Sequence, residues 1–177
     1  MQGFHVKGVH QMPDDLSTKS NASTAECASA RTGLALMRLG IGAMFLSVFF
    51  ENLNKGLYAK DGYAKLINYY VENSHAPGLW KSIMSSAASH ATVAGPLQGV
   101  AEISFGVFLL LGLLTRPVAL AAFLFLTSLW VSEWGTAWIW ELLVPMIAAF
   151  SIMVGGAGRK WGIDAKLARK YPRIPLW

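Results

Sequence analysis

Four long apolar blocks, Gly33 to Phe50, Leu97 to Leu114, Pro117 to Trp134 and Ile139 to Val154, set the terms on which this chain folds. Roughly 18 residues of helix rise about 27 Å, near the thickness of a bilayer's hydrocarbon core. The helices of a soluble bundle would each carry a polar face, and Val118 to Leu126 carries none. Of the 177 residues only 14% are charged, where a soluble domain has about a quarter. The blocks therefore read as an all-α integral membrane protein, a four-helix bundle with an extracytoplasmic loop.

Four crossings place both termini on one side. Lys7, Lys19, Arg31 and Arg38 precede or enter the first block, Arg116 lies in the turn between the second and third, and Arg159 to Arg173 hold six cations. The other side has only Lys55, Lys60, Lys65 and Lys81. The positive-inside rule then assigns the termini and the Arg116 turn to the cytoplasm, in a multi-pass protein of the cytoplasmic membrane. The net charge of +5 follows from this bias and suits anionic headgroups. No aromatic platform interleaves the basic residues, so nucleic acid is not an expected partner. Three parts result: a polar N-terminal tail (1–30), a transmembrane domain (31–158) and a basic C-terminal tail (159–177). The polar start shows no cleavable signal peptide.

Cys27 is alone, so neither an internal disulfide nor a CxxC redox pair is available. His5, His10, His75 and His90 all lie outside the apolar blocks, so no metal site and no haem between helices is expected. Between the first two blocks, Tyr63, Leu66, Ile67 and Tyr70 share one face of a helix. This spacing predicts a short surface helix, either a lid over an outward-facing cavity or an interfacial cap, with a further turn or two around Leu79 to Met84. Gly95-Pro96 reads as the opening of the second span. Pro145 lies inside the fourth and releases the carbonyl of Glu141. Trp130, Trp134, Trp138 and Trp140 gather where an aromatic belt belongs.

Every carboxylate in or bordering the spans maps to the outer half: Glu51, Glu102, Glu133 and Glu141. A charge at mid-bilayer costs about 2.5–3.5 kcal/mol on the milder scale, so such groups face a partner or water. Gln98 and Glu102 share a face, and Glu51 and Lys55 have the i, i+4 spacing of an ion pair. The acids either fix the bundle by hydrogen bonds between helices or handle protons. Arg38, near the cytoplasmic end, heads a seam through Gly42, Phe45, Phe49 and Asn52; it is either structural or a headgroup or ligand contact. Position alone makes Glu102 and Arg38 the candidate catalytic residues.

The stretches "LALMRLGIGAMFLSVFFENLNKGL", "GYAKLINYY", "GVAEISFGVFLLLGLLTRPVAL" and "GGAGRKWGIDAKL" resemble the DoxX/DoxD membrane proteins, over Leu34 to about Leu167. The last of them is similar to DoxD, a membrane subunit of thiosulfate:quinone oxidoreductase. The resemblance implies oxidation of thiosulfate with electrons passed to a quinone, entering near Trp134, Trp138 and Glu141. It also implies a separate DoxA-like partner subunit, since no such domain is fused before Trp177. No redox-cofactor motif belongs to the chain itself. A non-catalytic accessory subunit of a larger membrane complex and a proton or solute conduit are the competing readings.

Overall fold

A computed structural model describes the backbone of residues 14–173 and the side chains of residues 26–173. The first 13 residues of the expected polar tail, with Lys7, His5 and His10, lie outside the described residues, as do the side chain of Lys19 and residues 174–177. The chain divides into two compact units, Met1–Ala30 and Arg31–Trp177. In the first, the described backbone is helical from Asp14 onward, where the polar composition had suggested only a tail.

Among the described residues there are seven α-helices and no strand: α1 (Asp14–Asn54), α2 (Lys60–Asn73), α3 (Gly78–Ser89), α4 (Ala91–Leu111), α5 (Thr115–Ser132), α6 (Ile139–Gly155) and α7 (Asp164–Lys170). A single 3₁₀ turn, Ala157–Arg159, separates α6 from α7. Among the described residues three segments are long and apolar enough to cross a membrane: Glu26–Asn54, Ala91–Leu111 and Thr115–Ser132. The fourth apolar block forms the 17-residue α6, which rises roughly 25 Å. Large apolar side chains point outward along all four, among them Phe50 and Leu53, Leu97 and Val100, Leu124, and Val144 with Ile147. In a protein surrounded by water such surface would be a liability; against lipid tails it is the favourable arrangement.

α4 begins at Ala91, so Pro96 stands inside the helix and does not open it. α4 and α6 each end on a left-handed glycine, Gly112 (φ 62°) and Gly156 (φ 60°). After the first, the N–H of Leu113 reaches back to the carbonyl of Phe108 at 3.0 Å, the closure that such a glycine permits. The core packs Phe45 edge-on to Phe105 and Phe105 edge-on to Phe125, with Leu126, Met146, Ala149 and Ile152 around them. Small residues let α1 and α4 approach closely: a methyl added to Gly106 would meet the Leu46 side chain at 2.6 Å and the carbonyl of Gly42 at 3.1 Å.

The surface helix expected from Tyr63, Leu66, Ile67 and Tyr70 is α2, with Tyr63 and Ile67 buried. The following turn or two is a full helix, α3. The two pack on the end of α5: Trp80 Nε1 donates to Ser132 Oγ at 2.9 Å, and the N–H of His75 donates to the Trp134 carbonyl at 2.7 Å.

Candidate functional site

Gly95, Gly99, Glu102 and Gly106 fall at i, i+4, i+7 and i+11, so α4 presents one stripe of glycines with a single acid in it. At Gly95 and Gly99 the stripe is filled by the turn after α1. A Cβ on Gly95 would strike the carbonyl of Tyr58 at 2.5 Å, and one on Gly99 would press on the Tyr58 ring at 3.2 Å. The ring stacks on Phe49, with centroids 5.5 Å apart, and its hydroxyl arrives over Glu102.

Glu102 is 1% exposed and held by three donors. Its Oε2 accepts from the Tyr58 hydroxyl at 2.5 Å and from Asn52 Nδ2 at 3.2 Å; Oε1 accepts from Gln98 Nε2 at 2.9 Å. Three donors from α1, the following turn and α4 thus converge on one carboxyl group. Burial, and then the bond to Glu102, hold the Tyr58 hydroxyl well above its ordinary pKa, so it stays a donor.

Glu102, Asn52 and Gln98 form one wall of a cavity of about 490 Å³. Glu133 and Glu141 also line it, as do Tyr70 and Lys55. The remaining wall is apolar, built from Phe45, Phe125, Leu126, Leu129, Leu142 and Pro145. Glu133 Oε1 accepts from the Tyr70 hydroxyl at 2.9 Å. Removal from water pushes the Glu133 carboxyl up from its ordinary range; the Tyr70 bond opposes this and the Glu141 charge adds to it. The Tyr70 hydroxyl is likewise raised, by burial first and by Glu133 next. Glu141 is exposed, at the N-terminal turn of α6.

Three of the four acids singled out in the sequence therefore face one space. Glu51 does not line it; it is exposed and pairs with Lys55 at 2.5 Å, the spacing its sequence position implied. Trp134 and Trp138 line an adjoining pocket of about 220 Å³ that shares Glu133, Ala137 and Leu142 with the larger cavity. Trp134 stacks on Trp130 at 5.9 Å, and Trp138 is 76% exposed. Glu141 belongs to the larger cavity and the two tryptophans to the smaller, with Glu133 in the wall between.

Arg38 is placed elsewhere. Fourteen residues separate it from Asn52 on α1, roughly 21 Å of helix. Its side chain is fully buried and does not reach outward to headgroups. Nη1 donates to the carbonyls of Leu109 and Leu110 in the last turn of α4. Nη2 donates to the carbonyls of Trp161 at 3.2 Å and Lys160 at 3.5 Å. The candidate pair Glu102 and Arg38 is thus not brought together.

The sequence reading missed Asp164, which is fully buried in what had been taken as the start of a basic tail. Its two oxygens accept from the N–H groups of Leu114 and Thr115, each at 2.8 Å, and so close the N-terminus of α5. A side chain on Gly158 would collide with Thr115 Oγ1 and Asp164 Oδ2. The "GLLTR" and "GRKWGID" stretches are therefore two halves of one structural joint, held to α1 by Arg38. Tyr58 and Tyr70 were also missed as site residues, though the glycine stripe before Glu102 signals that something bulky must fill it. No group of three or more metal-ligating side chains gathers among the described residues.

Compared with known proteins, residues 34–176 match the family described as TQO small subunit DoxD. No curated protein and no solved structure matches.

Proposed function

The chain belongs to the DoxD family, and from that premise we propose that it is the membrane subunit of a quinone-linked thiosulfate oxidoreductase, with the cavity beside Glu102 as its quinone site. α6 crosses the bilayer as the fourth helix of the bundle, since 17 residues meet the lower limit for a span and its outward face is apolar. Both termini then lie on the basic, cytoplasmic side, and α2 and α3 cover the cavity from outside.

The observation that carries this reading is the composition of the cavity: three carboxyl groups, two amides and a tyrosine set in an aromatic and aliphatic wall of about 490 Å³. That volume falls in the range of small-ligand sites, and an apolar wall with a few convergent polar groups suits a lipophilic ring with carbonyl oxygens. The same walls repel a dianion, because three acids face one lysine. Thiosulfate is therefore oxidised on a separate partner subunit, and its electrons reach the quinone here. Reduction of a quinone to a quinol takes up two electrons and two protons. Glu133 and Glu141, nearer the surface than Glu102, hand protons to the quinone oxygens and are refilled from water. Tyr70 donates a hydrogen bond to Glu133 and fixes its orientation. Glu102, held by three donors, keeps that wall of the cavity in place and offers an acceptor to the quinol.

Thiosulfate-dependent quinone reduction by the purified protein with its co-purifying chains tests the proposal. Substitution of Glu133 by Gln is expected to lower the rate about 10²-fold or more, as loss of a positioned proton donor does. A complex that reduces quinone at an unchanged rate in Glu133→Gln and Glu141→Gln refutes the assignment. A chain that migrates alone and shows no activity in any preparation would favour the accessory-subunit reading.

A further inference from the structure

On the side away from α2, three phenyl rings close the cavity beside Glu102. Phe45 and Phe125 line it, and both meet Phe105, at centroid separations of 5.3 and 5.6 Å. The rings come from α1, α5 and α4, and Leu126 and Met146 belong to the same apolar cluster. Four pairs of positions bound this layer: Arg38 and Phe45 on α1, Glu102 and Leu109 on α4, Ala119 and Leu126 on α5, Pro145 and Ile152 on α6. The members of each pair are two turns apart, roughly 10 Å of helix. Between these bounds the only polar side chains are Ser104 and Ser151. Each hydroxyl donates to a carbonyl of its own helix, Ser104 to Val100 at 2.6 Å and Ser151 to Ile147 at 2.8 Å. Ile41, Leu109, Ala122, Ala149 and Ile152 fill the layer, none more than 9% exposed.

The other end of the cavity is polar and open. Lys55, just beyond the end of α1, and Glu141, in the first turn of α6, are both exposed and both line it. Glu133, half-buried at the end of α5, lines it too. Leu66, Ile67 and Tyr70 of α2 complete this end. A proton arriving here is met by carboxyl groups; one arriving from the Arg38 end is met by two turns of hydrocarbon. A charge in such a layer is costly, and space lined by hydrocarbon stays dry. Any bundle has an apolar core; here that core decides where protons come from.

We propose that both protons of quinone reduction enter from the compartment that α2 and α3 face, by way of Glu141 and Glu133, and that none crosses the bundle. The inference rests on the quinone reading and adds its direction. Two thiosulfates joined by a new S–S bond give up two electrons and no proton. The quinone takes those electrons and two protons, one on each oxygen, as its C=O bonds become C–OH. The subunit thus carries out redox chemistry without moving protons across the membrane.

Liposomes holding the protein with its co-purifying chains test this, with a long-chain quinone in the bilayer and a pH dye in each compartment. A single cysteine at position 60, probed with an impermeant thiol reagent, reports which way α2 faces, and a potassium ionophore collapses any potential. When thiosulfate is supplied on both sides, the compartment facing position 60 should lose two protons per quinone reduced and the other none. Two protons lost from the opposite compartment overturn the inference and leave the quinone reading standing, as does one lost from each. Quinone that stays oxidised overturns both.

Discussion

A carboxyl group held by three donors is a stability determinant whatever else it does. In Tyr58→Phe, Glu102 Oε2 loses one of its two donors within a buried site. We expect a loss of about 1–3 kcal/mol, the cost of leaving a buried polar group without one of its partners. Unfolding in mixed micelles would measure it, with Tyr69→Phe, an exposed tyrosine, as the control expected to change little. Glu133 supplies the pH test. Its folded-state pKa is raised, so the folded state holds the proton more tightly than the unfolded one. The stability this gives is complete below the ordinary glutamate range, about 4.3, and is lost as pH rises through the folded value. Glu133→Gln should therefore gain on the native protein in melting temperature between pH 4 and pH 8, with most of the gain above about pH 4.3. A native protein that gains on the variant over that range would contradict the assignment. At this scale the sequence showed the acids clearly, because a lone carboxyl in an apolar run stands out. It hid their partners: Tyr58 lies in a turn, and the carbonyl ligands of Arg38 come from chain positions 71 to 123 residues away.

Helix positions followed from hydropathy wherever burial in lipid decides, and failed where backbone chemistry does. Pro96 lies within α4 because that helix starts at Ala91, six residues ahead of the apolar block that begins at Leu97. The segment after α6 read as a basic tail because its glycines and cations carry no periodicity. It is ordered instead by Gly158, Gly162 and Asp164, which fit it against the α4–α5 turn. The contact between α1 and α4 gives the element-scale prediction. Gly106→Ala should destabilise the protein by about 1–3 kcal/mol through overpacking against Leu46 and Gly42. Gly40→Ala, with nothing within 4 Å, should stabilise α1 by about 0.5–1 kcal/mol. The same unfolding measurement compares the two, and a like response from both would show that the close approach is absent.

At the scale of the molecule, the helical class, the membrane setting and the DoxD family were all readable before any coordinates, because lipid imposes length and composition on every crossing helix. What no linear reading could supply is that Glu102, Glu133 and Glu141, from three different helix regions, face one cavity, whereas Arg38 binds the far end of α4 at Leu109 and Leu110. If α6 is a fourth span, an impermeant thiol reagent should label single cysteines at positions 28 and 173 from one side of the membrane and at position 60 from the other. Labelling of 28 and 173 from opposite sides would mean three crossings. The cavity's occupant is the centre of the account, and a photoactivatable quinone applied to the protein in membranes probes it most directly. Peptide mapping should place the adducts on Phe125, Leu129 and Leu142, and excess unlabelled quinone should abolish them. Adducts confined to the outward faces of the helices, and indifferent to competitor, would contradict it.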